Sequence, residues 1–278
     1  MVQWRSGRRS TNVEDRRGMR PGIAVGGMGF LVLLLLVWCL GGDPIALLEN
    51  APQTPTREGP APAPPATDED AQFVSAILAS TEDAWSGIFT ENGASYPPPT
   101  LVLFTDMVRS GCGTAGAATG PFYCPLDQKV YLDLGFFRQL AQLGGPGDFA
   151  AAYVVGHEVG HHVQNVVGTA EEVRGLQQGN PGAANELSVR LELQADCYAG
   201  VWANRTQQDR GGQFLESGDV EEGLAAAAAI GDDRLQRHAG RAVSPESFTH
   251  GTSEQRQSWL RQGLESGDVD ACDTFQGV

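Results

Sequence analysis

The stretch from Asp148 to Gln164 restricts this chain more than any other. It contains no proline and reads Ala150, Ala151, Ala152, Tyr153, Val154, Val155, Val159 and Val163 around His157-Glu158-Val-Gly-His161. Apolar residues at this spacing predict a helix, with Asp148 as its N-cap. On a helix, positions i and i+4 share a face, so His157 and His161 present two imidazoles to one point. Glu158 projects beside that point. Two imidazoles so spaced, with a neighbouring carboxylate, are the pattern by which helices hold zinc for hydrolysis. Zinc there lowers the pKa of a bound water toward ~7, and Glu158 is placed to act as general base and later as proton donor.

A catalytic zinc needs a third protein ligand and an open position. Glu192, in Glu192-Leu-Gln-Ala-Asp196, is the candidate. It lies 31 residues beyond His161, far enough for a turn and a second helix that packs on the first. Asp196 is one turn further along the same face and can accept the free N–H of a ligating histidine, fixing its tautomer. Two acids at i and i+4 among Leu191, Leu193, Ala195 and Ala199 are costly without such partners. His162 is turned about 100° from His161 and cannot join it on the same metal. His238 reads as a surface residue. His250 stands at a loop-to-helix junction before the capping box Thr252-Ser-Glu-Gln255, and is the candidate donor to an oxyanion.

The 278 residues carry a net charge of −15, unevenly placed. Residues 1–20 hold six arginines against Glu14 and Asp15, residues 21–42 hold no charge, and the remainder holds 13 basic and 32 acidic residues. A domain this acidic repels phosphates, so nucleic acid is excluded as a partner. The uncharged run 22–42, with Trp38 near one end, is long enough to span a bilayer as a helix. Arginines on its N-terminal side predict a cytoplasmic N-terminus and an extracytoplasmic C-terminal domain. Residues 43–68 form a Pro/Ala-rich tether that cannot bury a core. The expected division is therefore a basic cytoplasmic segment 1–21, a transmembrane helix 22–42, a tether 43–68 and a catalytic domain 69–278.

Within that domain, helical spacing covers 69–90, and 100–105 and 129–134 read as paired strands. Helices follow at 136–143, 183–204 and 219–230, and another opens at the capping box. Residues 215–220 and 264–269 share one hexapeptide, read in each place as a helix exit turn. Four cysteines lie beyond the apolar run. The short Gly-rich span from Cys112 to Cys124 suggests one closed loop, which leaves Cys197 to pair with Cys272. An extracytoplasmic setting favours both bridges.

The two metal-ligand stretches resemble those of glutamate-ligand zinc proteases, including membrane prenyl-protein endopeptidases. Across the chain, residues 12–18, 120–125, 130–134, 156–164, 192–200 and 250–256 resemble the bacterial neutral zinc metallopeptidase family. The long Pro-rich tether departs from that pattern without touching the chemistry. The resemblance implies a zincin-like fold, one zinc and peptide hydrolysis, and no particular substrate. The reading is thus an α+β, mostly helical zinc endopeptidase with a small β-sheet and one membrane helix, acting on peptides or proteins. Zinc is assigned to His157, His161 and Glu192, catalysis to Glu158 and His250. A membrane-anchored module with a structural metal, or with none, is the alternative.

Overall fold

Asp68 opens the first long helix, α1 (Glu69–Glu91), by accepting the Ala71 N–H at 3.1 Å. The computed structural model describes residues 1–18 and 62–276, so the run 22–42 and most of the tether lie outside the described residues. Beyond α1 come β2 (Thr100–Phe104), the hairpin β3 (Met107–Ser110) and β4 (Gly113–Gly116), β5 (Phe122–Cys124) and β6 (Lys129–Asp133). Seven further helices follow: α2 (Gly135–Leu143), α3 (Asp148–Val167), α4 (Thr169–Gly179), α5 (Ala184–Asp209), α6 (Asp219–Ala229), α7 (Asp232–His238) and α8 (Ser253–Ser266). The described chain is a mostly helical α+β structure. Among the described residues no helix is long and apolar enough to cross a membrane.

The four-stranded sheet has the order β1-β2-β6-β5, where β1 is Val13–Asp15. β1, β2 and β6 are parallel, and the edge strand β5 runs antiparallel to β6. β2 and β6 bury near-continuous apolar runs, Leu101–Phe104 and Val130–Leu132, as strands covered on both faces do. One face packs on α1, α3 and α5 through Ile77, Leu78, Trp85, Phe149 and Trp202. Trp202 also donates its indole N–H to Ser80 Oγ at 3.1 Å. Both expected disulfides are present, Cys112–Cys124 and Cys197–Cys272. The first ties the β3–β4 hairpin to β5. The second ties α5 to the chain end.

Three expectations need correction. Asp148 is the first residue of α3 rather than its N-cap, a position Gly147 occupies with φ 120°. Residues 215–220 lead into α6 rather than out of a helix, whereas the second copy of the hexapeptide does contain a C-cap, Gly267. The third correction is larger. Residues 1–18, part of the segment 1–21 expected to stand apart from the catalytic domain, fall in one compact unit with the chain from Pro62 onward. Val13, Glu14 and Asp15 pair with Leu101, Val102 and Leu103 of β2. Val2 and Trp4 enter the core. Two of the arginines that suggested an inside signal are held in ion pairs, Arg8 with Glu82 and Asp83, and Arg17 with Asp15 and Asp68.

Glu82 is the clamp for this N-terminal strap. It is buried, and it accepts from Ser10 Oγ at 2.6 Å, Asn12 Nδ2 at 2.8 Å and Arg8 at 2.6 Å. Hydrogen bonds to a charged group contribute more than neutral ones, and an orphaned buried donor is costly. Glu82→Ala should therefore lower stability by about 2–3 kcal/mol in urea denaturation, and residues 1–18 should become open to limited proteolysis. A variant as stable and as protected as the parent would refute the clamp.

Candidate metal centre

The metal helix α3 runs unbroken from Asp148 and stops at Gly168, whose φ of 91° ends the helix. Its position against α5 is set by Gly160. A Cβ there would stand 2.9 Å from the Ala195 carbonyl oxygen and 3.1 Å from Ala195 Cα, so the two helix backbones touch. This contact brings Glu192 opposite both histidines. His157 Nε2 lies 3.2 Å from Glu192 Oε2, and His161 Nε2 lies 3.4 Å from Glu192 Oε1. A tetrahedral zinc with bonds near 2.05 Å holds its ligand atoms about 3.3 Å apart. The three residues assigned from the sequence are thus together and at zinc spacing. Their ligand atoms all lie within 4.8 Å of one another.

The imidazoles are oriented from behind. Asp196, fully buried, accepts the His157 Nδ1–H on Oδ1 at 2.8 Å. His161 Nδ1 donates to Gln164 Oε1 at 2.9 Å, and the Gln164 amide in turn donates to the Leu191 carbonyl and to Gln194 Oε1. With both Nδ1 atoms occupied as donors, both Nε2 atoms face Glu192. Asp196 receives three more bonds: Tyr153 O–H at 2.5 Å, Arg256 Nε at 2.8 Å and Arg256 Nη2 at 2.9 Å. Sequence reasoning assigned no role to Tyr153, Gln164 or Arg256. Arg256 closes the family-like stretch 250–256 and stands one residue after the capping box, which the structure reproduces with both reciprocal bonds of Thr252 and Gln255.

Electrostatics follow from burial. Withdrawal from water opposes charge on His157, yet Asp196 and Glu192 outweigh it and raise the imidazole to about 10. Burial likewise opposes charge on His161, and Glu192 prevails to raise it. Burial pushes Glu192 up, but His161 and His157 hold it well below the usual carboxylate range. Glu158, also buried, is raised by desolvation, with His157 and His161 opposing. A carboxylate raised in this way is a better base near neutral pH than an ordinary one.

A cleft of about 640 Å³ opens over these groups. Its walls include Phe122 and Tyr123 of the edge strand, Phe136, Ile230, Arg174 and His250. His250 thus reaches the cleft, as expected. Its Nδ1 lies 3.2 Å from Asp232 Oδ1, while Asp232 Oδ2 accepts the backbone N–H groups of Thr249, His250 and Gly251. The bond to Asp232 raises the His250 pKa, and partial burial opposes it. His162 turns away from the metal ligands, as its helical position requires. It donates to the Pro97 carbonyl at 2.6 Å and accepts from Tyr123 at 3.0 Å, which pins the edge strand. His238, at the end of α7, is exposed. A second acidic group, Asp148, Asp219 and Glu222, sits at the start of α3 and has no imidazole; Glu222 caps the Phe149 N–H at 3.1 Å.

Metal binding must displace protons from His157 and His161, both held more basic than free imidazole. Zinc affinity should therefore weaken as pH falls and strengthen as pH rises toward the His157 value. Titration with a chromophoric chelator at several pH values measures this, and a pH-independent affinity would contradict the geometry. Gly160→Val should push α3 from α5 and reduce zinc affinity at least 10-fold, read in the same assay.

Residues 2–275 match the family model described as "Putative neutral zinc metallopeptidase". Among similar proteins, the uncharacterized protein YpfJ of Escherichia coli (strain K12) is 47% identical over 99% of both chains. The uncharacterized protein Mb2605 of Mycobacterium bovis is 42% identical over 86% of this chain and 85% of its own. No solved structure matches.

Proposed function

Because the chain belongs to this zinc metallopeptidase family, we propose that it is a zinc-dependent endopeptidase, with zinc held by His157, His161 and Glu192. One observation carries the reading: Glu158 is buried on the same helix as two ligand histidines, beside a third ligand and under an open cleft. A structural zinc takes four protein ligands, and among the described residues this group offers three. When bound, zinc supplies Lewis acidity that lowers the pKa of a coordinated water. Glu158 takes the proton of the attacking water and returns it to the leaving amine. The edge strand β5 borders the cleft and can add an extended peptide as a further strand. Membrane association through the run 22–42 belongs to the same proposal, supported by its length and lack of charge.

His250 is the proposed donor to the oxyanion. Asp232 occupies its Nδ1, which leaves Nε2–H for the substrate. Loss of a donor used only in the transition state lowers kcat and kcat/KM together. His250→Ala should therefore reduce both by roughly 10²–10³ with unchanged zinc content. The active form is the imidazolium, which is present below the raised pKa and lost as pH rises through it. The alkaline limb of the pH profile should accordingly lie above the ordinary histidine value, and Asp232→Asn should move it to lower pH. An unmoved limb with normal kcat in both variants would remove His250 from the mechanism.

Glu158→Gln tests the central assignment. Hydrolysis of a peptide library should fall by about 10²–10⁴ while zinc remains stoichiometric. Near-normal turnover in a zinc-loaded variant would overturn it. Absence of hydrolysis by the zinc-loaded parent chain would favour the structural-metal alternative.

A further inference from the structure

The cleft above the metal centre has two chemically different ends, and the packing of α3 on α5 sets where each lies. The two helices run antiparallel. The Gln164 amide reaches the Leu191 carbonyl at 2.7 Å, Gly160 meets Ala195, and a Cβ on Gly156 would stand 3.5 Å from Ala199 Cβ. His157, His161 and Glu192 therefore occupy the middle of the cleft floor. Toward the start of α3 the lining residues are Val154, Phe136 of α2, Ile230 at the end of α6 and Leu235 of α7. Phe136 and Ile230 pack on the cluster that holds Tyr153 and Val154. Phe136, Ile230 and Leu235 are each partly exposed, so this end offers apolar surface to a ligand.

The opposite end is built by α4, which follows α3 after Gly168, and by the first turns of α5. Ala170, Arg174 and Gln177 line it from positions i, i+4 and i+7 of α4, which form one helix face. Gln177 donates to Ser188 Oγ at 2.9 Å and to the Ala184 carbonyl at 3.0 Å, so its amide nitrogen is committed to α5. Ser188 also lines the cleft, one turn, or about 6 Å, before Glu192. Arg174 has no such commitment. It is exposed, and among the described residues its guanidinium has neither a hydrogen bond nor an ion pair. The second guanidinium on the cleft, Arg256, is occupied by Asp196. His250 is likewise held by Asp232.

We propose that the cleft selects peptides with a bulky apolar side chain on one side of the scissile bond and a carboxylate on the other, and that Arg174 is the partner of that carboxylate. An extended peptide advances about 3.3 Å per residue, so a group one to two helical turns from the metal ligands meets the peptide about two or three residues away. A guanidinium binds a carboxylate through paired N–H donors, and the apolar wall gains by removing a large side chain from water. The net charge of −15 favours cationic ligands in general, so a preference for a carboxylate reports a local cation. An acidic side chain and a terminal carboxylate offer the same chemistry. The placement about a scissile bond rests on the peptidase reading; recognition of the peptide does not.

Peptide binding tests this without turnover. The full-length Glu158→Gln chain is loaded with zinc and titrated with short fluorescent peptides, acetylated and amidated at their ends, and binding is read by anisotropy. One series places Glu or Lys at successive positions on either side of a central Phe. A second replaces that Phe with Ser. At one spacing from Phe, Glu should bind about 5- to 10-fold more tightly than Lys. Adding Arg174→Glu should reverse the order with zinc content unchanged. Peptides whose only carboxylate is a free C-terminus at that spacing show which source is used, and tighter binding of either source supports the assignment. Ser in place of Phe should weaken binding about 10-fold, and Leu235→Gln should narrow that difference. Equal binding of Glu and Lys peptides at every spacing, or an order that survives Arg174→Glu, would overturn the role of Arg174. Equal binding of Phe and Ser peptides would overturn the apolar end. The zinc-loaded parent chain, incubated with the same peptides, reports on hydrolysis separately. If it binds them with these preferences and cleaves none, the peptidase reading fails and the recognition of peptides stands.

Discussion

The fold gathers six ionisable side chains at one place: His157, Glu158, Asp196 and Arg256 are buried, and His161 and Glu192 are partly buried at the cleft floor. With neutral imidazoles, three carboxylates and one guanidinium leave two negative charges. Each uncompensated buried charge costs several kcal/mol even after relaxation. Such a cluster persists only if protons or a cation settle the balance. The raised basicity of His157 and His161 is the first of these solutions. A single divalent ion at zinc spacing is the second, and it restores neutrality without a buried ammonium or an extra proton. Competition between the two solutions links metal affinity to pH.

Helix approach converts that charge balance into a defined geometry. α3 supplies two imidazoles and α5 supplies the opposing carboxylate. The distance between them is governed by small residues, with Gly160 of α3 against Ala195 of α5. α5 is fixed in turn by Trp202 in the core and by the Cys197–Cys272 bridge, which begins at the residue after Asp196. The sheet has a different task. Its central strands anchor the strap and the helices, while its free edge β5 is turned to the cleft and held there by Tyr123 through His162.

The candidate site was legible in the sequence where its logic is local. His157, Glu158 and His161 follow from helical spacing, and Glu192 and Asp196 from two acids one turn apart on an apolar face. The disulfides followed from one short loop and elimination. The topology was less legible. β1 is three residues long and pairs in parallel with a strand more than 80 residues away, so no local turn announces it. The arginines on either side of β1 and the uncharged run 22–42 form a pattern that sequence statistics assign to a membrane anchor. The partners of Arg8, Ser10 and Asn12 become visible only in the buried acceptor Glu82, far along the chain in α1. Long-range partners of this kind leave no periodic trace.

Arg256 shows the same limitation from the opposite end of the chain. A side chain that is 2% exposed and permanently charged is expensive to bury. Its cost is offset by two parallel bonds to Asp196, the strongest geometry available to a guanidinium. Reaching Asp196 demands that α8 lie directly on α5, and Gly263 permits this, since a Cβ there would stand 2.0 Å from the Cys197 carbonyl oxygen. The capping box of Thr252 and Gln255 fixes where α8 begins, and thereby the turn on which Arg256 sits. The loop just before it carries His250, clamped by Asp232. The terminal helix therefore has two connected tasks: its buried face steadies Asp196 and hence the His157 ring, while its N-terminal approach delivers His250 to the cleft wall. Displacing α8 would disturb metal binding and the proposed donor together, although α8 supplies no metal ligand itself.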